Sequence, residues 1–107
     1  MRLLGEGGKL KKRVMKTIMK VEIEPVFVDF IPNELEEKKV YISEEYKVSV
    51  HSCLCGCGEK TVLPIGKDGW NLIKHDSGKV SFTPSIGNYQ FTCKSHYIIT
   101  KNIANFV

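Results

Sequence analysis

The stretch HSCLCGCGEK, residues 51–60, places three of the chain's four cysteines within five positions, just behind a histidine. In an extended strand, residues two apart point to one face with Cα atoms about 7 Å apart. Cys53, Cys55 and Cys57 therefore start on a common side, too widely spread to share an ion whose bonds to sulfur are about 2.3 Å. Gly56 and Gly58 accept the backbone angles that a curl around such an ion requires. Cys93, far along the chain in TCKSHY, completes the set and would tie the last strands to this knuckle. The predicted centre is one cation held by Cys53, Cys55, Cys57 and Cys93, and ligand type favours structural zinc over iron. Lys60 and Lys94, beside the cysteines in sequence, would offset part of its negative charge. Disulfides are the weaker reading, because cysteines separated by one residue pair poorly and no secretion signal points to an oxidising compartment. CKSH has the Cys-x-x-His spacing of a Rieske centre, but the complementary Cys-x-His is missing, the order here being HSC.

A chain of 107 residues has the size of one small domain, for which a metal clamp compensates for a limited core. That domain is expected over residues 21–107, after a basic lead-in over residues 1–20 that is either helical or partly disordered. The lead-in carries seven basic side chains against Glu6 alone, a net of +6, so the remainder of this +4 chain is at −2. Its segment LKKRVMKTIMK spaces Leu10, Val14, Ile18 and Met19 as an amphipathic helix would, a pattern that suits nucleic acid or lipid headgroups. Few aromatics accompany these bases, so stacking on nucleic acid has little support, and neither nucleic acid nor a membrane is the expected partner. There is no run of about 20 apolar residues to span a bilayer and no apolar core of a secretion signal. The expected compartment is the cytoplasm.

From Val21 onward the pattern is that of short strands: VEIEPVFVDF, KKVYIS, KVSVHS, KTVLP, WNLIKH, KVSFT, YQFT, HYIIT and NIANFV. NELEEKK has room for one helical turn, IGKDG is a loop, and HDSGK is a tight hairpin connection whose Gly78 permits positive φ. The expected fold is all-β, a small zinc-clamped sandwich or partly open barrel.

The stretch FTPSIGNYQFTCKSHY adds chemistry. Pro84 biases Thr83 toward extended backbone, and Gly87 with Asn88 permits an abrupt turn directly after Ser85. Such a turn presents a hydroxyl while the amides near Ile86 and Gly87 point to a common spot, as an oxyanion site requires. Serine is a nucleophile only when a base takes its proton, and neutral imidazole is the usual base. The candidate catalytic residues are Ser85, with His96 as first base and His51 as second. Ser95 is the rival nucleophile, although strand neighbours face opposite ways and would separate it from His96. Asp29, Asp68 and Asp76 are unranked as acids to orient the histidine, and His75 reads as a solvated loop residue. A metal-catalytic variant, with His51 or His96 as a ligand and an open coordination position, is the lesser option because four cysteines already fill a tetrahedral site.

Taken in order, HSCLCGCGEK, then GW, then PSIGNYQFTCKSHYII resembles the small cysteine-rich proteins of bacterial ubiquitination-like operons, over roughly residues 40–100. The resemblance implies a zinc-containing serine peptidase, deubiquitinase-like, that cuts after the C-terminal tail of a ubiquitin-like modifier, in maturation or deconjugation. It matches the family's knuckle to Cys53, Cys55, Cys57 and Cys93, and its serine and histidine motifs to Ser85, His96 and His51. The implied partners are the modifier and its conjugates, with the conjugating-like enzyme as a further one. NYQF and CKSH depart from the family pattern, where a tryptophan and an arginine are expected at Tyr89 and Lys94. A noncatalytic zinc module that binds the modifier or its conjugating enzyme is the alternative.

Overall fold

The computed structural model describes residues 20–88 and 90–107. The expected basic lead-in, Lys20 apart, lies outside the described residues. Ten strands and no helix are present among them: β1 (Lys20–Glu22), β2 (Glu24–Phe27), β3 (Lys39–Ser43), β4 (Val48–Ser52), β5 (Lys60–Pro64), β6 (Asn71–Lys74), β7 (Val80–Thr83), β8 (Ile86–Gly87), β9 (His96–Thr100) and β10 (Ile103–Phe106). They form a four-stranded sheet in the order β1-β10-β9-β8, a second in the order β2-β3-β4-β5, and the hairpin β6-β7. All pairs are antiparallel except β2 with β3. The fold is all-β, and neither four-stranded sheet closes into a barrel. No helix in the described residues is long and apolar enough to cross a membrane.

Burial follows strand position. In β3, a central strand, Val40 and Ile42 are buried on one face and Tyr41 and Ser43 on the other. In β5 and β9 it alternates, as expected of strands with one solvated face. Thr61 and Leu63 point inward from β5, and Tyr97 and Ile99 from β9. One apolar core results, with Ile42, Leu63, Phe82, Ile86, Tyr97 and Ile99 at its centre. Removing such a filled side chain costs about 3–5 kcal/mol for an aromatic residue.

The β9-β10 connection has only Lys101 and Asn102 in the left-handed region, φ 47° and 68°, as a two-residue hairpin turn requires. Asn102 also exchanges hydrogen bonds with Val80, accepting from its N–H at 2.8 Å through Oδ1 and donating its own N–H to its carbonyl at 2.9 Å. This pins the β6-β7 hairpin to the first sheet.

Three local expectations are corrected. NELEEKK forms no helical turn, only bends and a turn at Glu37–Lys38. In YQFT, the described residues 90–92 lie in turns and a bend rather than a strand. The chain does not turn abruptly after Ser85 but enters β8, which pairs with β9 through Ile86↔Tyr97 and Gly87↔His96. Cross-strand pairing outweighs the local freedom of the Gly-Asn pair. HDSGK does form the β6-β7 connection, with Gly78 at φ 90°.

Candidate active site and metal centre

The knuckle is the loop of the β4-β5 hairpin, residues 53–59 between the paired Ser52 and Lys60. Two backbone hydrogen bonds shape it, Cys53 N–H to Glu59 C=O at 2.7 Å and Gly56 N–H to Cys53 C=O at 3.0 Å. Gly56 and Gly58 take φ near 90°, a region that a side chain disfavours, so the curl is carried by these two glycines. Cys93 comes from the turn before β9, and all four Sγ atoms lie within 4.8 Å of one another. The Cys53–Cys55, Cys57–Cys93 and Cys53–Cys93 separations are 3.4, 3.6 and 3.8 Å. Four sulfurs at about 2.3 Å around one ion stand about 3.8 Å apart at the edges of a tetrahedron, so these residues fit a metal held by four thiolates. The Ser95 hydroxyl, hydrogen-bonded to Cys93, holds the pKa of that thiol down, to about 6, whereas burial pushes that of Cys55 up. Four thiols this close cannot all ionise without a cation among them.

The second constellation follows from register. Ile86 and Tyr97 face the core, so their neighbours Gly87 and His96 face outward as a directly opposed pair,. Continuing the register sets Ser85 opposite Ile98, diagonal to His96 on the outer face. Diagonal neighbours are within side-chain reach, and Ser85 Oγ lies 2.7 Å from His96 Nε2. Behind Ser85, the Trp70 indole N–H donates to the Ser85 carbonyl at 3.3 Å. Trp70 is brought there by the tight turn before it. A Cβ on Gly69 would collide with the Pro64 carbonyl, to which Trp70 N–H donates at 2.8 Å.

A family model described as "Bacterial ubiquitination-like system serine protease (BubE)" matches residues 27–107. The chain belongs to this family. No curated protein and no solved structure matches the chain. The BubE match takes in the four cysteines, Ser85, His51 and His96, and extends beyond the motifs that carry the sequence resemblance.

In this BubE chain the two histidines have different surroundings. His51 is fully buried on β4, with Nε2 2.8 Å from the Tyr97 hydroxyl and no partner for Nδ1 among the described residues. Burial depresses its pKa to about 4 and raises that of Tyr97 to about 12, so both are neutral near pH 7. The hydroxyl beside an imidazole on the outer face is that of Ser85, and the imidazole is that of His96. Ser95 is buried, its Oγ 3.1 Å from Cys53 Sγ and 3.5 Å from Cys93 Sγ. His75 is not simply solvated: Nε2 is 2.8 Å from Ser81 Oγ, which also accepts the Lys101 N–H. Asp68 and Asp76 sit in the turns before β6 and before β7, and the Asp29 carbonyl accepts the Ser43 hydroxyl.

Sequence reading missed Asn88, which joins the two centres. Its side chain is 2% exposed. Nδ2 donates to Ser95 Oγ at 3.0 Å and to the Tyr97 hydroxyl at 3.3 Å, and lies 3.5 Å from Cys53 Sγ. Oδ1 accepts the Thr61 hydroxyl at 3.2 Å, and the Asn88 N–H donates to the Ser95 carbonyl at 2.8 Å. Asn88 follows Ser85 by three positions, and Ser95 and Tyr97 flank His96, so this amide locks the β8-β9 pairing and its approach to the knuckle. Asn next to Gly reads locally as a turn, and nothing in the sequence marks it as buried. Asn88→Ala is expected to cost about 2–4 kcal/mol, because several buried groups lose partners. Denaturant unfolding at fixed metal content measures this, and a cost below about 0.5 kcal/mol would mean that the network does not hold the hairpin.

Proposed function

We propose that this chain is a serine peptidase that cleaves after the C-terminal tail of a ubiquitin-like modifier, with Ser85 as nucleophile, His96 as base and a structural zinc on Cys53, Cys55, Cys57 and Cys93. The observation that carries the reading is the 2.7 Å contact between Ser85 Oγ and His96 Nε2 on the outer face of a paired strand ladder. Membership in a serine protease family of bacterial ubiquitination-like systems supports the substrate class.

In this mechanism Ser85 Oγ bonds to the carbonyl carbon at the end of the tail while its proton passes to His96 Nε2. Collapse of the tetrahedral intermediate breaks the bond to the leaving amine or alcohol, which takes that proton from His96. Water then attacks the Ser85 ester, giving one proton to His96; the second collapse returns that proton to Ser85 Oγ and frees the tail as its acid. Asn88 N–H bonds to Ser95, and antiparallel pairs alternate in type. The Ile86 amide is therefore spent on Tyr97 within the ladder. Of the two amides expected to meet the oxyanion, only that of Gly87 turns away from β9, and it supplies that donor. Zinc when bound fixes the knuckle and Cys93, and through them the start of β9. The reaction itself uses Ser85 and His96.

The test is incubation with the modifier carrying a C-terminal extension, read by intact mass. The expected result is a single cut behind the modifier's last residue, with a transient increase in enzyme mass equal to the mature modifier less water. Modifier binding without cleavage, undiminished by Ser85→Ala, would establish the noncatalytic module instead. The two histidines also separate. His51→Ala empties a buried position and is expected to lower stability by about 2–4 kcal/mol while folded protein still reacts at Ser85. His96→Ala is expected to leave stability within about 1 kcal/mol and to lose reactivity. The reverse pattern in unfolding and labelling experiments would assign the base to His51.

A further inference from the structure

We propose that Ile98 and Trp70 form the two walls of an acyl-side subsite at Ser85, and that this subsite selects apolar over acidic residues next to the bond being cut. The inference deepens the peptidase reading above and rests on it. Continued by one residue beyond β8, the β8-β9 register sets Ile98 opposite Ser85 on the outer face, one position along β9 from Tyr97, which is buried. On the other side, the Trp70 indole N–H reaches the Ser85 carbonyl at 3.3 Å. Ser85 thus has Ile98 across the ladder and the Trp70 indole at its main-chain carbonyl.

Three further observations shape the subsite. Ile98 is 37% exposed, whereas Ile99 beside it is 1% exposed, so the apolar group is presented to solvent at this point. Gly87, opposite His96, has no side chain to cover the imidazole. Val107 N–H donates to the His96 carbonyl at 2.9 Å, which sets Val107 beside His96 across the β9-β10 pair, where it is also exposed. An acyl group bonded to Ser85 Oγ that extends toward β9 lies over this floor, because the carbonyl carbon is one bond from Oγ and the next residues extend only about 3.3 Å each. An apolar side chain there covers Ile98 and is rewarded by the area it removes from water. A carboxylate there loses hydration against the apolar walls.

Three chromogenic probes test this: the 4-nitrophenyl esters of N-acetyl-dileucine and N-acetyl-diglutamate, and 4-nitrophenyl acetate, which has no side chain. Wild-type protein is expected to hydrolyse the dileucine ester at least about 10-fold faster than the diglutamate ester in kcat/KM. Ile98→Lys is expected to shrink that ratio about 10-fold or more, with a far smaller effect on the acetate rate, and Ile98→Val to restore most of it. Ile73→Lys, at a comparably exposed position on β6, controls for a general effect of added charge. A wild-type ratio near one, or the same ratio in Ile98→Lys as in wild type, overturns the subsite. Absence of any Ser85-dependent hydrolysis overturns the peptidase reading itself, and the subsite with it. Ser85-dependent hydrolysis without selectivity overturns the subsite alone.

Discussion

Ser85→Ala and His96→Ala are each expected to slow cleavage of a modifier fusion by about 10⁴- to 10⁶-fold, the range found when one member of a serine–histidine unit is removed. The effect is large because the two side chains act as a unit: without the imidazole the hydroxyl keeps its proton, and without the hydroxyl the imidazole has nothing to activate. The double variant should therefore be no slower than either single one. Folding should be little affected, since Ser85 and His96 are only half-buried on the outer face. The direct measurement is intact mass after exposure to a fluorophosphonate. Wild type is expected to take a single adduct and both variants none, with metal content and unfolding midpoint close to wild type. An adduct that persists in Ser85→Ala would place the nucleophile elsewhere. Ser95, the rival on sequence grounds, is a poor substitute because it is 8% exposed and bound into the thiol network.

Loss of the metal is the second large effect, and it falls on stability. The loop over residues 53–59 has few backbone hydrogen bonds of its own, yet Cys53 and Leu54 within it are buried in the main core. Four thiolates on one ion would thus tie core residues, the β4-β5 hairpin and the turn before β9 to a single point. Chelation, or Cys93→Ser, is expected to remove more than about 4 kcal/mol of stability, as the loss of a structural metal generally does. Binding of the ion back to the folded chain should release protons, because thiols must ionise to ligate. Denaturant unfolding with and without chelator, beside metal analysis of one ion per chain, measures this. An unchanged midpoint after proven metal removal would exclude a structural role. Cobalt in place of zinc should keep the cleavage rate within about two-fold, since no reacting atom is assigned to the ion; a larger change would bring the metal into the chemistry.

The parts of the site differ in how far they could be read from residues alone. The knuckle was legible because its ligands and its bend are local: three cysteines at alternate positions and two glycines among them are enough to describe a curled loop. The inward side of β9 was legible too, since HYIIT alternates and so separates His96 from Tyr97. The setting of Ser85 was only half legible. The residue type and the histidine were recognisable, but the segment after Ser85 was read as a turn. Gly87 and Asn88 have turn-like propensities, and a two-residue strand leaves no periodic trace. The Ile86 amide was for that reason assigned to the oxyanion when it belongs to the ladder. Sequence ranks His96 before His51 as the base, but the difference in their surroundings was beyond local patterning, since each lies near a cysteine and only the packing of β4 against Tyr97 buries His51.

The sequence by itself determined that the chain is β-rich and that its four cysteines can form one cluster, because strand alternation and glycine backbone freedom act over a few neighbouring residues. It also marked a serine and histidines as candidates for acyl transfer. Only the tertiary structure decided which of them meet. The contact between Ser85 and His96 depends on the β8-β9 register, in which a shift of β8 by one residue would turn Ser85 into the core and away from His96. That register is held by Asn88, Ser95, Tyr97 and Cys53, residues scattered over 45 positions, and long-range packing of this kind has no signature in any short stretch of the chain.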